Sequence, residues 1–493
     1  MSSSRPTRRT FLGAGGAALL GITPLGRAAP RSRTVMGSEE EIRIAVVGIR
    51  SRGRSHIEGF RNLPNVRVVA LCDVDAGILA REAAKFEERG EKIQCVADFR
   101  ELLNRSDIDA VSLATPNHWH ALQTVWACES GLDVYVEKPV SHSFLEGELM
   151  VRAASQNNRI VQTGTQSRSS QAIQEAIDWM HAGNLGSIKI ARGFCYKPRQ
   201  SIGKVNAAQE IPEGINYNLW TGPAPLVPLR RRNLHYDWHW DSATGNGDLG
   251  NQGVHQVDLC RWALGEKGLP SEVLSIGGRM GYDDDGNTPN TQLLWCRYPT
   301  APILFEVRGL PKNLKAQKED WGGRMDRYEG IGIGVIVECE RGKLHLPNYS
   351  SAEAFDSDGN SIRKWNGARN HFENFVAAVR SGNSNDLSAE IKEGHLSAAP
   401  CHFGAISHSL GQQATAAEIQ RSIAGVSYLE DAFARLTQHL QSNEIDISSS
   451  LLTLGRKLTA GGENDLAETL GADLARPNLL FRPGRQPFRF PGT

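Results

Sequence analysis

The sequence predicts an α/β protein in two parts: a doubly wound parallel sheet, then an α+β part with a large, mostly antiparallel open sheet. Three observations carry this. Between residues 42 and 162, short apolar runs alternate with helical stretches, the grammar of βαβ units. After about residue 166, strand-like runs follow one another with few helices between them. The chain has 493 residues, more than one core holds, which calls for two domains plus attachments.

In the first part Ile42–Val47 is an apolar run leading into "GIRSRG", followed by a helical segment from His56 to Asn62. Val66–Cys72 ends at Asp73, and Ala76–Glu88 reads as a helix. Ala110–Ala114 and Val134–Val136 are further strands, separated by a helix from His120 to Ser130; the helix Phe144–Ser155 leads to the strand Ile160–Gln162. In the second part, strands are expected at Ile188–Cys195, Val273–Met280, Gln292–Tyr298, Ile303–Val307 and Val335–Glu338, with helices over Asn370–Arg380 and Ala389–Leu410. A tail carries a helix at Tyr428–Gln441 and ends in a segment rich in Pro, Arg and Phe. The expected division is 1–40 signal and linker, 41–165 nucleotide-binding domain, 166–412 substrate and oligomerisation domain, and 413–493 helical extension and tail.

Charge is balanced, with 55 Lys+Arg against 55 Asp+Glu and a sequence pI of about 7.2. There is no basic field for nucleic acid. The eight cysteines form no CxxC pair and no Cys/His cluster at zinc spacing, so neither a structural metal nor a disulfide framework is expected. Cys72, Cys95 and Cys128 lie in apolar segments and read as small core residues.

At the N-terminus, "TRRTFLGAGGAALLGITPLGRAA" sets Arg8-Arg9 before Phe11-Leu12 and a short, glycine-rich, mildly apolar run. That is the layout of a twin-arginine export signal, too short and too weakly apolar for a membrane span. Cleavage is expected near Ala28-Ala29. The twin-arginine translocase carries proteins already folded, so the expected destination is the periplasm or another exported location.

The chemistry sits at strand ends. Gly48-Ile49-Arg50-Ser51-Arg52-Gly53 follows the first strand and opens the first helix, as in a Rossmann dinucleotide turn, although Arg50 stands where a glycine would let the backbone approach a pyrophosphate. Asp73, at the end of the second strand, is placed to hold ribose hydroxyls, and its charge opposes the extra phosphate of NADP; NAD is favoured, with the arginines at 50, 52 and 54 as the competing phosphate receivers. Thr115-Pro116-Asn117-His118-Trp119-His120 lies past another strand end, where Asn117 and Trp119 are candidates for the nicotinamide side and His120 reads as a buried structural histidine. In "VYVEKPVSHS" an apolar strand stops at Glu137-Lys138-Pro139. Proline confines Lys138 to extended geometry, which suits either a charge aimed at a ligand or a surface salt bridge.

Taken together, "VVGIRSRG", "CDVD", "ATPNHWH", "VEKP" and "GDLGNQGVHQVDLCRWALG" resemble the glucose–fructose oxidoreductase / inositol dehydrogenase (Gfo/Idh/MocA) family over about residues 42 to 410. The resemblance implies that Lys138 lies beside the nicotinamide and the reacting hydroxyl, with Glu137 positioning it. It also implies that His255 takes the hydroxyl proton; an unperturbed histidine, near pKa 6.5, suits that task. Sugar dehydrogenases of the family carry Asp and His at the spacing held here by Asn251 and His255; an amide can orient a hydroxyl but cannot relay a proton. In a helix these two residues, four apart, share a face. "NLHYDWHWD" supplies His235, Tyr236, Trp238, His239 and Trp240, suited either to a sugar's faces and hydroxyls or to domain packing, with Tyr236 and His239 as substrate candidates. Arg168, Tyr196 and Lys197 are further substrate candidates, and no metal is expected at the site. The resemblance further implies oligomers built across the open sheet face.

Three functions remain open at this level: an NAD-dependent oxidoreductase acting on a sugar, sugar derivative or polyol; a redox-neutral glycosidase or lyase that oxidises, eliminates and re-reduces; and a binding protein that kept the fold without the chemistry. Export favours tightly held NAD regenerated in place, because no reliable pool of free NAD exists outside the cytoplasm.

Overall fold

The computed structural model describes residues 37, 40–448, 452–460, 466–471 and 479–492; the expected export signal lies outside them. Six parallel strands, β1 (Ile42–Val47), β2 (Val66–Cys72), β3 (Gln94–Val96), β4 (Ala110–Leu113), β5 (Asp133–Val136) and β6 (Val161–Thr163), form one sheet in the order β3-β2-β1-β4-β5-β6. Helices α1 (Arg52–Arg61), α2 (Ala76–Glu87), α3 (Asn117–Glu129) and α4 (Phe144–Gln156) supply the crossovers and cover both faces. That explains why β1, β4 and β5 read as nearly unbroken apolar runs. The order reverses between β1 and β4, and a crevice opens at their carboxyl ends. Cys95, expected in the core, is exposed, because β3 is a short edge strand.

The second sheet is built of β7 (Ile188–Tyr196), β8 (Glu272–Gly278), β9 (Thr291–Arg297), β10 (Ile303–Arg308), β11 (Ile333–Cys339), β12 (Gly342–Leu346), β13 (Ser351–Asp356), β14 (Ser361–Asn366), β15 (Gln412–Ala414), β16 (Leu452–Leu454) and β17 (Leu458–Thr459). Its pairings are antiparallel except β7 with β10. The intervening helices are α5 (Gln171–Trp179), α6 (Tyr217–Thr221), α7 (Gly247–Asn251), α8 (Gly253–Leu264), α9 (Leu314–Glu319), α10 (His371–Ser381) and α11 (Ile391–Ser409). Helices α8 and α11 lie between the two sheets, and α11 touches both α4 and β8. One apolar core therefore runs from Leu113 and Val136 through Val257 and Phe403 to Phe305.

The tail serves two purposes. Its helices α12 (Ala416–Ser422) and α13 (Ser427–Ser442) bury Phe433, Leu436 and Leu440 against Ile276, Leu293 and Leu304 on the outer sheet face. Residues 479–492 return to the first domain. The Leu480 carbonyl accepts from Leu145 N–H at 3.0 Å, Arg482 donates to His142 Nδ1 at 2.7 Å and to the Ala243 carbonyl at 2.9 Å, and Phe488 packs edge-on to Trp119 with centroids 5.3 Å apart.

Burial of histidines away from the cleft has a measurable result. Desolvation lowers His118, His371 and His395 to about 4 and His402 to about 3. The unfolded chain then binds more protons than the native one below about pH 6.5, so stability present above that pH is lost as pH falls toward 4, by about 1.4 kcal/mol per pH unit for each histidine. Burial raises Glu146 to about 7, which opposes one of the four. Calorimetry is expected to show the melting temperature falling steeply between about pH 6.5 and 4.5; an unchanged value would contradict it.

Candidate active site

The crevice between β1 and β4 fits a dinucleotide. Gly48 adopts φ +75°, and a Cβ there would lie 2.8 Å from the Ala114 carbonyl and Thr115 nitrogen. A Cβ on Gly53 would lie 1.9 Å from the Gly48 carbonyl oxygen, so glycine is what lets α1 start against the turn. Ser51 precedes α1 with a positive φ of 45° and ψ of −99°, a strained non-glycine geometry of the kind that concentrates at ligand-binding turns. The turn thus aims the amino end of α1 into a cleft of about 440 Å³, lined by Gly48, Arg50, Ser51, Arg52, Asp73, Thr115, Pro116 and Trp119. Leu219, Trp220, His235, Tyr236, Trp238 and His239 close it from the second domain.

Asp73 is held by two backbone donors, Ile49 N–H and Asp75 N–H, each at 3.0 Å. Burial nevertheless raises its pKa. Each carboxylate oxygen keeps acceptor capacity for ribose hydroxyls. Of the three arginines weighed as phosphate receivers, Arg52 is paired with Glu137 at 2.7 Å and Arg54 with Glu82 at 2.6 Å, leaving Arg50 exposed in the cleft.

Glu137 is buried and faces α1. Its Oε1 accepts from Arg52 Nε at 2.7 Å and from His56 Nε2 at 3.1 Å, while Oε2 takes only the backbone N–H of Lys138, at 3.3 Å. Burial works against its charge, but the His56 bond and the Arg52 guanidinium prevail and hold the carboxyl well below its usual range. Glu137 therefore ties the end of β5 to the dinucleotide turn and fixes the Lys138 backbone; it does not hold the ammonium.

The Lys138 ammonium is held elsewhere. Nζ donates to the Asn251 backbone carbonyl at 2.7 Å and lies 3.4 Å from its Oδ1. A lysine from the first domain is thereby clamped to the end of α7 in the second. Burial lowers its pKa, and the nearby cations Arg52, Lys197 and Arg199 add to this against Glu137. His255 lies in the first turn of α8, its ring 5.1 Å from Tyr349 and its buried Nδ1 without a hydrogen-bond partner. Burial, then the Lys138 charge, push it down to about 3, far from the 6.5 expected of a free histidine. Asn251 and His255 do not share one helix: α7 ends at Asn251 and α8 begins at Gly253. The break turns the Asn251 carbonyl to Lys138, so the main tie does not depend on the amide side chain.

In the aromatic segment, His239 stacks on Trp238 at 3.7 Å and its Nδ1 donates to the Tyr236 carbonyl at 2.6 Å. Burial lowers it to about 4. The Tyr236 hydroxyl accepts from Arg199 at 3.1 Å, and Arg199 makes a buried fork to Asp248 at 2.6 and 2.8 Å. Sequence reasoning missed this pair, Tyr349, and the bond from His235 to Asp75 at 2.9 Å. Asp248 lay within the quoted "GDLGNQG" and was the available signal.

Three candidates fall outside the site. The Asn117 amide is turned away from the cleft, donating to Asn246 Oδ1 at 2.9 Å. Arg168 is bound to Asp258 at 2.8 Å and to Glu393 at 3.2 Å. Tyr196 points to the opposite sheet face, its hydroxyl donating to Glu306 at 2.8 Å. His120 is structural as expected, bridging the carbonyls of Thr115 and Pro139 at 2.7 Å each. Among the described residues, no group of three or more His, Cys, Asp or Glu is arranged to hold a metal ion.

The fold and cleft are those of an NAD-binding Rossmann domain followed by an α/β domain. Residues 42–165 match the family model for the oxidoreductase family's NAD-binding Rossmann fold, and residues 176–280 match the model for its C-terminal α/β domain. These two segments, a little under half of the chain together, match the two domains of the Gfo/Idh/MocA oxidoreductase family. "Glycosyl hydrolase family 109 protein 1" of Shewanella sp. strain ANA-3 is 31% identical over 172 residues, 31% of this chain and 38% of that protein. The match thus spans well under half of that curated relative. Among solved structures, levoglucosan dehydrogenase in complex with NADH and levoglucosan aligns at TM-score 0.55 and 17% identity over 74% of this chain and 97% of that one. The WlbA dehydrogenase of Bordetella pertussis, in complex with NADH and UDP-GlcNAcA, aligns at 0.53 and 17% over 74% and 97%. At such identity the likeness is one of fold.

Proposed function

We propose that this protein is an exported, NAD-dependent oxidoreductase acting on a CH–OH group of a sugar, sugar derivative or polyol, with its cofactor held tightly and recycled in place. The observation that carries the reading is the Lys138 ammonium, fixed across the domain junction by Asn251 beside an uncharged His255. Gly48, Ser51, Gly53 and Asp73 hold the dinucleotide, which when bound supplies the hydride acceptor. Lys138 keeps an N–H free of its Asn251 bond and donates it to the reacting oxygen, stabilising charge as it develops there. His255 is neutral throughout the physiological range and receives the hydroxyl proton on its ring. Its low basicity means that it binds a proton well only once negative charge lies between it and Lys138. Tyr236 and His239, which line the cleft, would contact the substrate.

The match to a glycosyl hydrolase family 109 protein favours a second reading, in which hydride removal and return bracket an elimination and no net oxidation results. One screen separates the two. The exported protein, with no cofactor added, is mixed with sugars and glycosides while bound nicotinamide absorbance and leaving-group release are recorded. Lasting reduction by a free sugar is expected; leaving-group release without net reduction would replace this reading by the second. Released cofactor is expected to be NAD, close to one per chain, and an empty protein that needs millimolar NAD would sink the tight-cofactor proposal.

Export rests on Arg8-Arg9 and the run that follows. Arg8→Lys with Arg9→Lys keeps the charge yet is expected to leave the protein in the cytoplasm, since the receptor reads the guanidinium pair. Export of the double variant at the wild-type level would refute the signal.

A further inference from the structure

The end of β7 places a lysine toward the α7–α8 junction that no described residue engages in an ion pair. Gly193 lies beneath α8, where a Cβ would come 2.8 Å from Gln256 Cβ. Six residues on, Arg199 reaches α7 and grips Asp248. Between them the backbone stays beside β10, Lys197 N–H bonding the Arg308 carbonyl at 3.1 Å and Arg199 N–H the Gly309 carbonyl at 2.8 Å. Side chains alternate along such a segment, so 193, 195, 197 and 199 share the face toward the helices. Tyr196, one residue off, points the other way to Glu306, as this alternation requires. Half-buried Lys197 is thereby set opposite the α7–α8 junction, where Asn251 holds Lys138.

The charges around this junction do not balance. Glu137 is engaged by Arg52, Asp248 by Arg199, and Asp258 by Arg168. Among the described residues Lys138 has only the neutral Asn251 as its hydrogen-bond partner through Nζ, and Lys197 makes no ion pair. His255 and His239 are neutral and add no further positive charge. Two ammonium groups therefore face one side of a site that is partly withdrawn from water, and oxidised nicotinamide adds a further positive charge. Confined cations without acidic partners are costly unless a ligand brings the opposite sign. Exposed Tyr236 and Tyr349 lie toward the outer side of this junction, one hydrogen-bonded to Arg199 and the other to Gln252.

We propose that the substrate is an anionic carbohydrate, a sugar acid or sugar phosphate, whose charged group binds Lys197 while Lys138 acts at the oxidised carbon. This rests on the carbohydrate oxidoreductase reading above and adds the substrate's charge class.

The test uses the cofactor-loaded protein. D-Glucose, D-galactose and D-mannose are each compared with the matching uronate and hexose phosphate, with calorimetric Kd and reduction of bound nicotinamide as the two readouts. In at least one series an anionic member is expected to bind about tenfold or more tighter than the neutral one, with the difference shrinking as salt rises. Lys197→Met is expected to remove that difference and Lys197→Arg to retain it, with cofactor content and melting temperature confirming that both variants fold. Preference for the uronate assigns the anion as a carboxylate, and preference for the phosphate assigns it as a phosphoryl group. Equal or tighter binding of every neutral sugar, or a preference unchanged in Lys197→Met, overturns the inference, while reduction of bound cofactor by a neutral sugar leaves the oxidoreductase reading standing. If no member of any series binds or reduces the cofactor, the carbohydrate reading itself falls.

Discussion

Lys138→Ala is expected to lower turnover by roughly 10²–10³ or more while the protein remains folded and loaded with cofactor. In the proposed mechanism the ammonium acts on a charge that exists only as the C–H and O–H bonds break, so its loss falls on the chemical step more than on ground-state binding. Structurally the change is modest. It removes one hydrogen bond to the Asn251 carbonyl, a net cost of about 1 kcal/mol, and leaves the Glu137–Arg52–His56 cluster intact. Turnover within a few-fold of wild type on a true substrate would remove Lys138 from the catalytic role.

The second large effect concerns the cradle. Gly53→Ala puts a methyl group 1.9 Å from the Gly48 carbonyl oxygen, a backbone atom that cannot rotate away. The amino end of α1 must then move off the turn proposed to hold the phosphates. A displacement costing about 3 kcal/mol of binding corresponds to roughly 10²-fold in cofactor affinity. The variant is expected to purify without NAD, as judged by mass spectrometry of the released cofactor. Full cofactor content would mean that the dinucleotide does not rest on this turn.

How much of this was legible in the sequence follows from burial. The parallel sheet was readable because β1, β4 and β5 are covered on both faces and so appear as continuous apolar runs. Strands β12 to β14 passed unnoticed: β12 alternates buried and half-buried positions, and β14, "SIRKWN", is an exposed edge strand with one buried residue. The return of the tail was hidden for another reason, since Arg482 and His142 lie 340 residues apart and neither carries a local signal.

The site divides in the same way. Asp73 and Lys138 were visible because strand ends in a doubly wound sheet are where ligands meet the chain. The Arg199–Asp248 pair was not, because it joins segments 49 residues apart with no shared periodicity. Tyr196 was set beside Lys197 as a substrate residue, although neighbours on a strand face opposite ways; counting the alternation would have separated them. The low basicity of His255 comes from burial and from the charge of Lys138, neither of which its immediate sequence contains.

The most direct measurement is single-turnover reduction of nicotinamide in the purified, cofactor-loaded protein. Wild type and Lys138→Ala, matched for cofactor content, are mixed with the neutral and anionic sugars and no added NAD. Reduced nicotinamide is expected to appear in the wild type with at least one carbohydrate and to be slowed by roughly 10² or more in the variant. Equal reduction in both proteins, or none in a fully loaded wild type with any sugar or glycoside, would contradict a carbohydrate oxidoreductase acting through Lys138.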